Sequence, residues 1–281
     1  MRRPSAPAGS GLGAYFALAF VLAWVFWVPA ALSERGAIGR SLPTALLVVL
    51  GTFAPSVAAV LVAASKGGGA GARSLLGQLL RWRVRPGWYV VALFGPAALM
   101  MVAIGMYVAL GGAAPDFPEP SRWPLVAVNL VLVLLIGGPL GEELGWRGFA
   151  LPRLQARHGA LRASVVVGVV WALWHLPLFA VPGAPQSQVP FSLFVVQAVA
   201  LSVFFAWAYN GTKGRLPVVL LLHASVNTWA GALRILPEAT GSLVPWLLAT
   251  ALACVMAVAL VLAYGSSTLS RTPRSDESRW A

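Results

Sequence analysis

Residues 11–32 read GLGAYFALAFVLAWVFWVPAAL, twenty-two positions without a charge. A helix needs about 20 apolar residues to cross the hydrocarbon of a bilayer. The stretch is too long for a signal-peptide core and carries no persuasive cleavage site, so it reads as a retained transmembrane helix. Seven further charge-poor windows follow, at about 41–65, 87–112, 124–142, 163–181, 189–210, 216–236 and 242–264. Lipid offers the backbone no hydrogen bonds, which leaves the helix as the form such windows take. The sequence therefore predicts an all-α, polytopic transmembrane helix bundle of about eight spans over residues 11–264. Gly137, Gly138 and Pro139 are expected to bend or interrupt the fourth.

Composition agrees. Of 281 residues, 59% are hydrophobic and 10% charged, with a mean hydropathy of +0.80, against roughly 25% charged in soluble domains. No stretch is long enough for a separate aqueous catalytic domain, so any chemistry belongs in or at the membrane. Residues 1–10, rich in Pro, Gly, Ser and Ala, and 265–281, rich in Ser, Arg and Pro, are expected to be disordered.

A formal charge of +12 would suggest nucleic acid as partner in a soluble protein, but here the positive-inside rule absorbs it. With connections assigned alternately to two sides, sixteen of the twenty Lys and Arg residues fall on the side of the N-terminus. Only Arg35, Arg40, Arg122 and Arg234 fall on the other. This predicts cytoplasmic N- and C-termini and membrane lipid, not nucleic acid, as the surrounding partner. The high Arg-to-Lys ratio with abundant Ala and Gly points to a GC-rich bacterial genome, and so to a bacterial cytoplasmic membrane. The single cysteine, Cys254, excludes intramolecular disulfides.

Trp27, Trp88, Trp123, Trp207 and Trp246 fall near predicted span ends and read as an interfacial aromatic belt. Gly137, Gly141 and Gly145 recur every four residues, a small-residue stripe suited to close helix packing. Residues 75–88 mix Leu, Trp and Arg and read equally as a short interfacial helix or as a basic loop.

Ionisable groups within apolar spans are the sharpest functional signal, because a buried charge is costly unless paired. They form three clusters: Glu142, Glu143 and Arg147 in GEELGWRGF; His175 in WALWHLP; His223 and Asn227 in HASVN. Glu143 and Arg147 are four apart and share a helix face, an acid-first ion pair. Glu142 points about 100° away and is left as the free carboxylate. Trp171 and His175 are also four apart, so the indole can fix the imidazole, and His223 and Asn227 repeat the spacing. His158, in a basic connection, reads as solvated. One carboxylate and two imidazoles can activate water by general base catalysis, with donors left to stabilise an oxyanion. Glu142, His175 and His223 could equally hold zinc, although no HExxH motif is present. A non-catalytic reading, as a bacteriocin-immunity or accessory membrane protein, also remains open. Nucleophile-based proteolysis is disfavoured: no GxSxG occurs, Ser225 lies about 200° around the helix from His223, and Cys254 has no histidine in its span.

GEELGWRGFALPRL, WALWHLP about thirty residues later and HASVN on a later helix together resemble the CAAX prenyl endopeptidase and bacteriocin-processing (CPBP, or ABI) family of polytopic membrane proteins. The resemblance covers residues 137–227; the first three spans and the last match only in hydropathy. It implies an intramembrane glutamate protease, without metal, open toward the cytoplasm and acting on a peptide or lipidated-peptide substrate. Eukaryotic members remove the last three residues of prenylated proteins. Glu142 matches the catalytic glutamate, which activates water with the histidine matched by His175. His223 and Asn227 match the oxyanion pair, and Glu143 and Arg147 the supporting ion pair. Trp171 stands where phenylalanine is common.

One geometric conflict accompanies this reading. Counted from Ala163, His175 is twelve residues, about 18 Å, along its helix, whereas Glu142 reads as nearer the inner surface. A shared site requires the fifth helix to start outside the hydrocarbon, or Glu142 to lie deeper with residues 148–162 folding back; a mixture of the two is expected.

Overall fold

A computed structural model describes residues 11–38 and 42–271. Among these the chain is helical, with no strand: α1 (Leu12–Glu34), α2 (Thr44–Thr52), α3 (Ala54–Leu76), α4 (Pro86–Ala109), α5 (Pro124–Ile136), α6 (Pro139–Gly145), α7 (Leu151–His158), α8 (Ala160–Trp174), α9 (Phe191–Gly211), α10 (Leu216–Ala232), α11 (Pro237–Thr240) and α12 (Val244–Tyr264). Seven helical stretches are long and apolar enough to span a membrane, and the predicted fourth span is a pair, 120–136 and 139–158, bent by 47°. Hydropathy alone thus locates the spans of this integral membrane protein.

The bundle is built on small residues. On α1 the buried positions Tyr15, Ala19, Ala23, Trp27 and Ala31 recur every four residues and face α3 and the start of the site. The glycine stripe works likewise for two of its members. A Cβ on Gly141 would lie 2.5 Å from the Thr52 carbonyl oxygen, and one on Gly145 would lie 2.5 Å from that of Pro55. Both contacts are backbone, at the step between α2 and α3, so α6 reaches its depth only because these positions lack side chains.

Residues 75–88 take neither of the two simple forms. Helix α3 continues past Lys66 to Leu76, broken at Gly68 (φ +60°), and a single 3₁₀ turn over Gly77–Leu80 leads to an irregular stretch before α4. Nor is every tryptophan an interfacial anchor. Trp27 is 1% exposed, donates to the Val48 carbonyl and packs 4.3 Å from Trp174. Residues 1–10 and 272–281 lie outside the described residues. The first part of the tail expected to be disordered, 265–271, instead folds back. Ser267 and Ser266 carbonyls accept from the Ala160 and Leu161 amides at 2.9 Å, Thr268 accepts from Asn210, and the Leu269 side chain is fully buried. A helix start leaves amides unpaired, and here the chain's own C-terminal turn serves α8.

That contact also resolves the depth conflict. Helix α7 runs away from α6, α8 starts beside the end of α12, and α8 returns along α7. Glu142 lies about four turns before His158, and Trp171 about three turns after Ala160. The two meet deep in the bundle, which is the fold-back alternative.

Replacing Gly141 by Ala should destabilise the protein by about 1–3 kcal/mol, as overpacking of a tight contact does. Thermal unfolding in detergent checks this against Gly105→Ala, where a Cβ meets nothing within 4 Å and no loss is expected.

Candidate active site

The break between α5 and α6 is local chemistry. Gly138 has φ +123° and ψ −59°, open only to glycine, and Pro139 then starts α6 with a preset φ. The Glu142 amide bonds the Gly138 carbonyl at 2.9 Å, so Glu142 stands in the first turn of a new helix. The sequence suggests a helix end there; the break reverses this, and the carboxylate now complements the α6 dipole. After Gly145 the helix widens into a π turn over Trp146–Ala150, a distortion found often at functional sites.

The predicted ion pair is present. Arg147 Nη1 donates to Glu143 Oε1 at 2.8 Å, with both side chains fully buried. The same oxygen receives His223 Nδ1, also at 2.8 Å. The guanidinium lies over the Trp171 and Phe205 rings, 5.2 and 4.7 Å from their centroids, a cation–π setting for a charge removed from water. Glu143, Arg147 and His223 therefore form one unit that spans α6, the π turn and α10.

Glu142 is not hydrogen-bonded to that unit. Its Oε2 accepts the Trp171 indole N–H at 2.5 Å, and the spacing-based role of Trp171 as a packing partner omits this bond. Among the described residues none donates to its Oε1, which faces Gly138, where a Cβ would come within 2.7 Å. The Trp171 ring lies 5.5 Å from the His175 ring and 5.4 Å from that of His223, edge-on to both. One indole thus collects the free carboxylate and both predicted histidines.

The histidine tautomers follow from their partners. His175 Nδ1 lies 2.8 Å from the Trp171 carbonyl, which can only accept, so Nδ1 carries the proton and Nε2 is left as acceptor. Trp27, Trp174 and Phe194 wall the ring. His223 Nδ1 likewise holds its proton against Glu143. Asn227 is exposed on the α10 surface and donates to the Gly137 carbonyl at 3.4 Å, a long bond that leaves its second N–H unengaged. His158 is exposed on α7, away from the cluster. Gly138 was expected as a bend and proves also to line the site, whereas Trp27, read as an interfacial anchor, is a site-forming residue that the sequence reading missed.

For zinc, Glu142, His175 and His223 would have to surround one point. Among the described residues no three His, Cys, Asp or Glu side chains come together closely enough to hold an ion.

A carboxylate with a free oxygen, two oriented imidazoles and an amide, buried in a polytopic helix bundle, define a membrane-embedded hydrolase. Residues 123–229 match the family model described as type II CAAX prenyl endopeptidase Rce1-like. Over 225 residues the chain is 24% identical to CAAX prenyl protease 2 of Methanococcus maripaludis, covering 76% of this chain and 81% of that protein. Both comparisons return the kind of membrane protease to which the three motifs point, and the chain is similar to CAAX prenyl proteases.

Trp171→Phe keeps the ring between the histidines and removes only the donor to Glu142. A hydrogen bond to a charged group contributes about 1.5–3 kcal/mol, so kcat should fall roughly tenfold to a hundredfold with KM nearly unchanged. Steady-state kinetics with unaltered thermal unfolding checks it.

Proposed function

We propose that the chain hydrolyses a peptide bond in a lipidated, prenyl-cysteine-containing peptide, without metal, by activating water between Glu142 and His175. The observation that carries this is the free Oε1 of Glu142 beside Gly138, in a carboxylate whose other oxygen is fixed by Trp171. His175 Nε2 accepts a hydrogen bond from the water and orients it, and Glu142 removes the water's other proton as the oxygen attacks the scissile carbonyl carbon. Negative charge develops on the carbonyl oxygen, where His223 Nε2–H and the Asn227 amide donate to it. His223 donates there from Nε2 while its Nδ1–H stays on Glu143 Oε1. When the tetrahedral intermediate collapses, the C–N bond breaks and the proton held by Glu142 passes to the leaving amine.

Arg147 acts at one remove in this scheme, by holding Glu143 and through it His223. The basic-residue asymmetry supports cytoplasmic termini, with substrate entering from that face. The names of the matched family and of the archaeal relative support a prenylated peptide as substrate.

In proteoliposomes, Glu142→Gln should abolish cleavage of a farnesylated peptide reporter, a loss of at least about a thousandfold for the general base and its water together, with thermal unfolding unchanged. Retained activity removes the proposed base. Purified active protein should contain less than one-tenth equivalent of zinc and keep its activity in chelator; a stoichiometric metal whose removal abolishes activity overturns the metal-free scheme.

A further inference from the structure

The geometry points to Arg234 as the residue that holds the free C-terminal carboxylate of the substrate, three residues beyond the scissile bond. This rests on the peptidase reading above and extends it to substrate specificity. Three observations carry it.

The first is an open path. Asn227, Gly231 and Arg234 fall at spacings of four and three residues on one side of α10 and its end, and all three are exposed. At Gly231 a Cβ would meet nothing within 4 Å. The path leads into a cleft of about 460 Å³ lined by Gly231, Arg234, Pro118, Gln188 and Glu238 among others, a size that suits a small ligand.

The second is charge. Among the described residues no carboxylate lies within ion-pair distance of Arg234. Glu238, the acid in the same cleft, is engaged elsewhere: its Oε2 accepts from Gln188 Nε2 at 2.9 Å, and its amide donates to Gln188 Oε1 at 3.0 Å. The cleft therefore presents an uncommitted guanidinium, the group best shaped to grip a carboxylate with two parallel hydrogen bonds. Arg234 also sits at φ +54° in the turn that ends α10, where the Ile235 amide bonds the Ala230 carbonyl. Glycine is the usual residue at such a helix end, and here an arginine takes the strained conformation instead.

The third is length. From Asn227 five residues of helix to Ala232 and a two-residue turn carry the chain about 10 Å to Arg234. Three extended residues also span about 10 Å. A peptide whose scissile carbonyl faces Asn227 thus brings its third following residue, and the terminal carboxylate, to Arg234. The substrate enters with its C-terminus leading, and a chain that continues past the third residue meets the cation without an anion to offer.

The test uses the full-length protein in proteoliposomes with one farnesylated peptide made in two forms, ending three residues after the farnesyl-cysteine as a free acid or as an amide. The unsubstituted protein should show a KM at least tenfold lower for the acid. Arg234→Gln should raise the acid KM about tenfold, to near that of the amide, with kcat kept within about threefold. Arg234→Lys should recover part of the preference. Cleavage of acid and amide alike by the unsubstituted protein, or an acid preference that survives Arg234→Gln, overturns the carboxylate site and leaves the peptidase reading standing. Cleavage of neither form overturns both. Because Arg234 is exposed, thermal unfolding of the variants should match that of the parent; a fall in kcat for both forms together assigns Arg234 a structural role and overturns the inference.

Discussion

The Glu143 carboxylate is the point on which this interior depends. An unpaired charge buried in a lipid-embedded bundle costs several kcal/mol, and Glu143 escapes that by sharing one oxygen between Arg147, one turn along, and His223, eighty residues away. The first bond is local and stiffens the π turn; the second ties α6 to α10. Removal of Arg147 leaves a charge that neither lipid nor the surrounding aromatic rings can neutralise, and removal of His223 breaks the tie to α10. The unit therefore fixes the relative placement of two helices before any substrate arrives, and Glu142, one residue earlier, inherits its position from it.

Reaching that depth is a steric matter as much as an electrostatic one. The carboxylates sit inside the bundle because Gly141 and Gly145 let α6 touch backbone at the α2–α3 step, and because Gly138 adopts a conformation that turns the chain there. Two adjacent glutamates thereby acquire different environments. Glu143 holds Arg147 and His223 through its Oε1, whereas Glu142 accepts the Trp171 indole N–H at Oε2 and turns Oε1 toward Gly138. The division of labour between them comes from one residue's rotation on a short helix.

Much of this was readable from the sequence because it is periodic or composed of rare groups. Span positions follow from hydropathy, the Glu143–Arg147 pair from a four-residue spacing, and the gathering of Glu142, His175 and His223 from the scarcity of other ionisable residues in lipid. What escaped depends on tertiary contact. Trp27 has the sequence position of an interfacial anchor, and only the approach of α8 to α1 turns it inward against Trp174 and His175. The Trp171 bond to Glu142 joins residues twenty-nine apart on different helices, which no spacing rule reaches. The apparent conflict in depth arose from treating 148–162 as a connection, when α7 and α8 form an antiparallel pair. Residues 265–271 have the composition of a tail and are nonetheless ordered, because unpaired amides at the start of α8 supply them with partners.

That last contact bears on biosynthesis. Trp171 and His175 ride on a helix whose first amides are closed by carbonyls of Ser266 and Ser267, some ninety residues downstream of the histidine. While the polypeptide is still emerging from the ribosome, the earlier helices can be inserted and paired, yet α8 lacks its terminal lock until translation has passed the final span. Closure of the first turn of α8 is therefore a late event in synthesis.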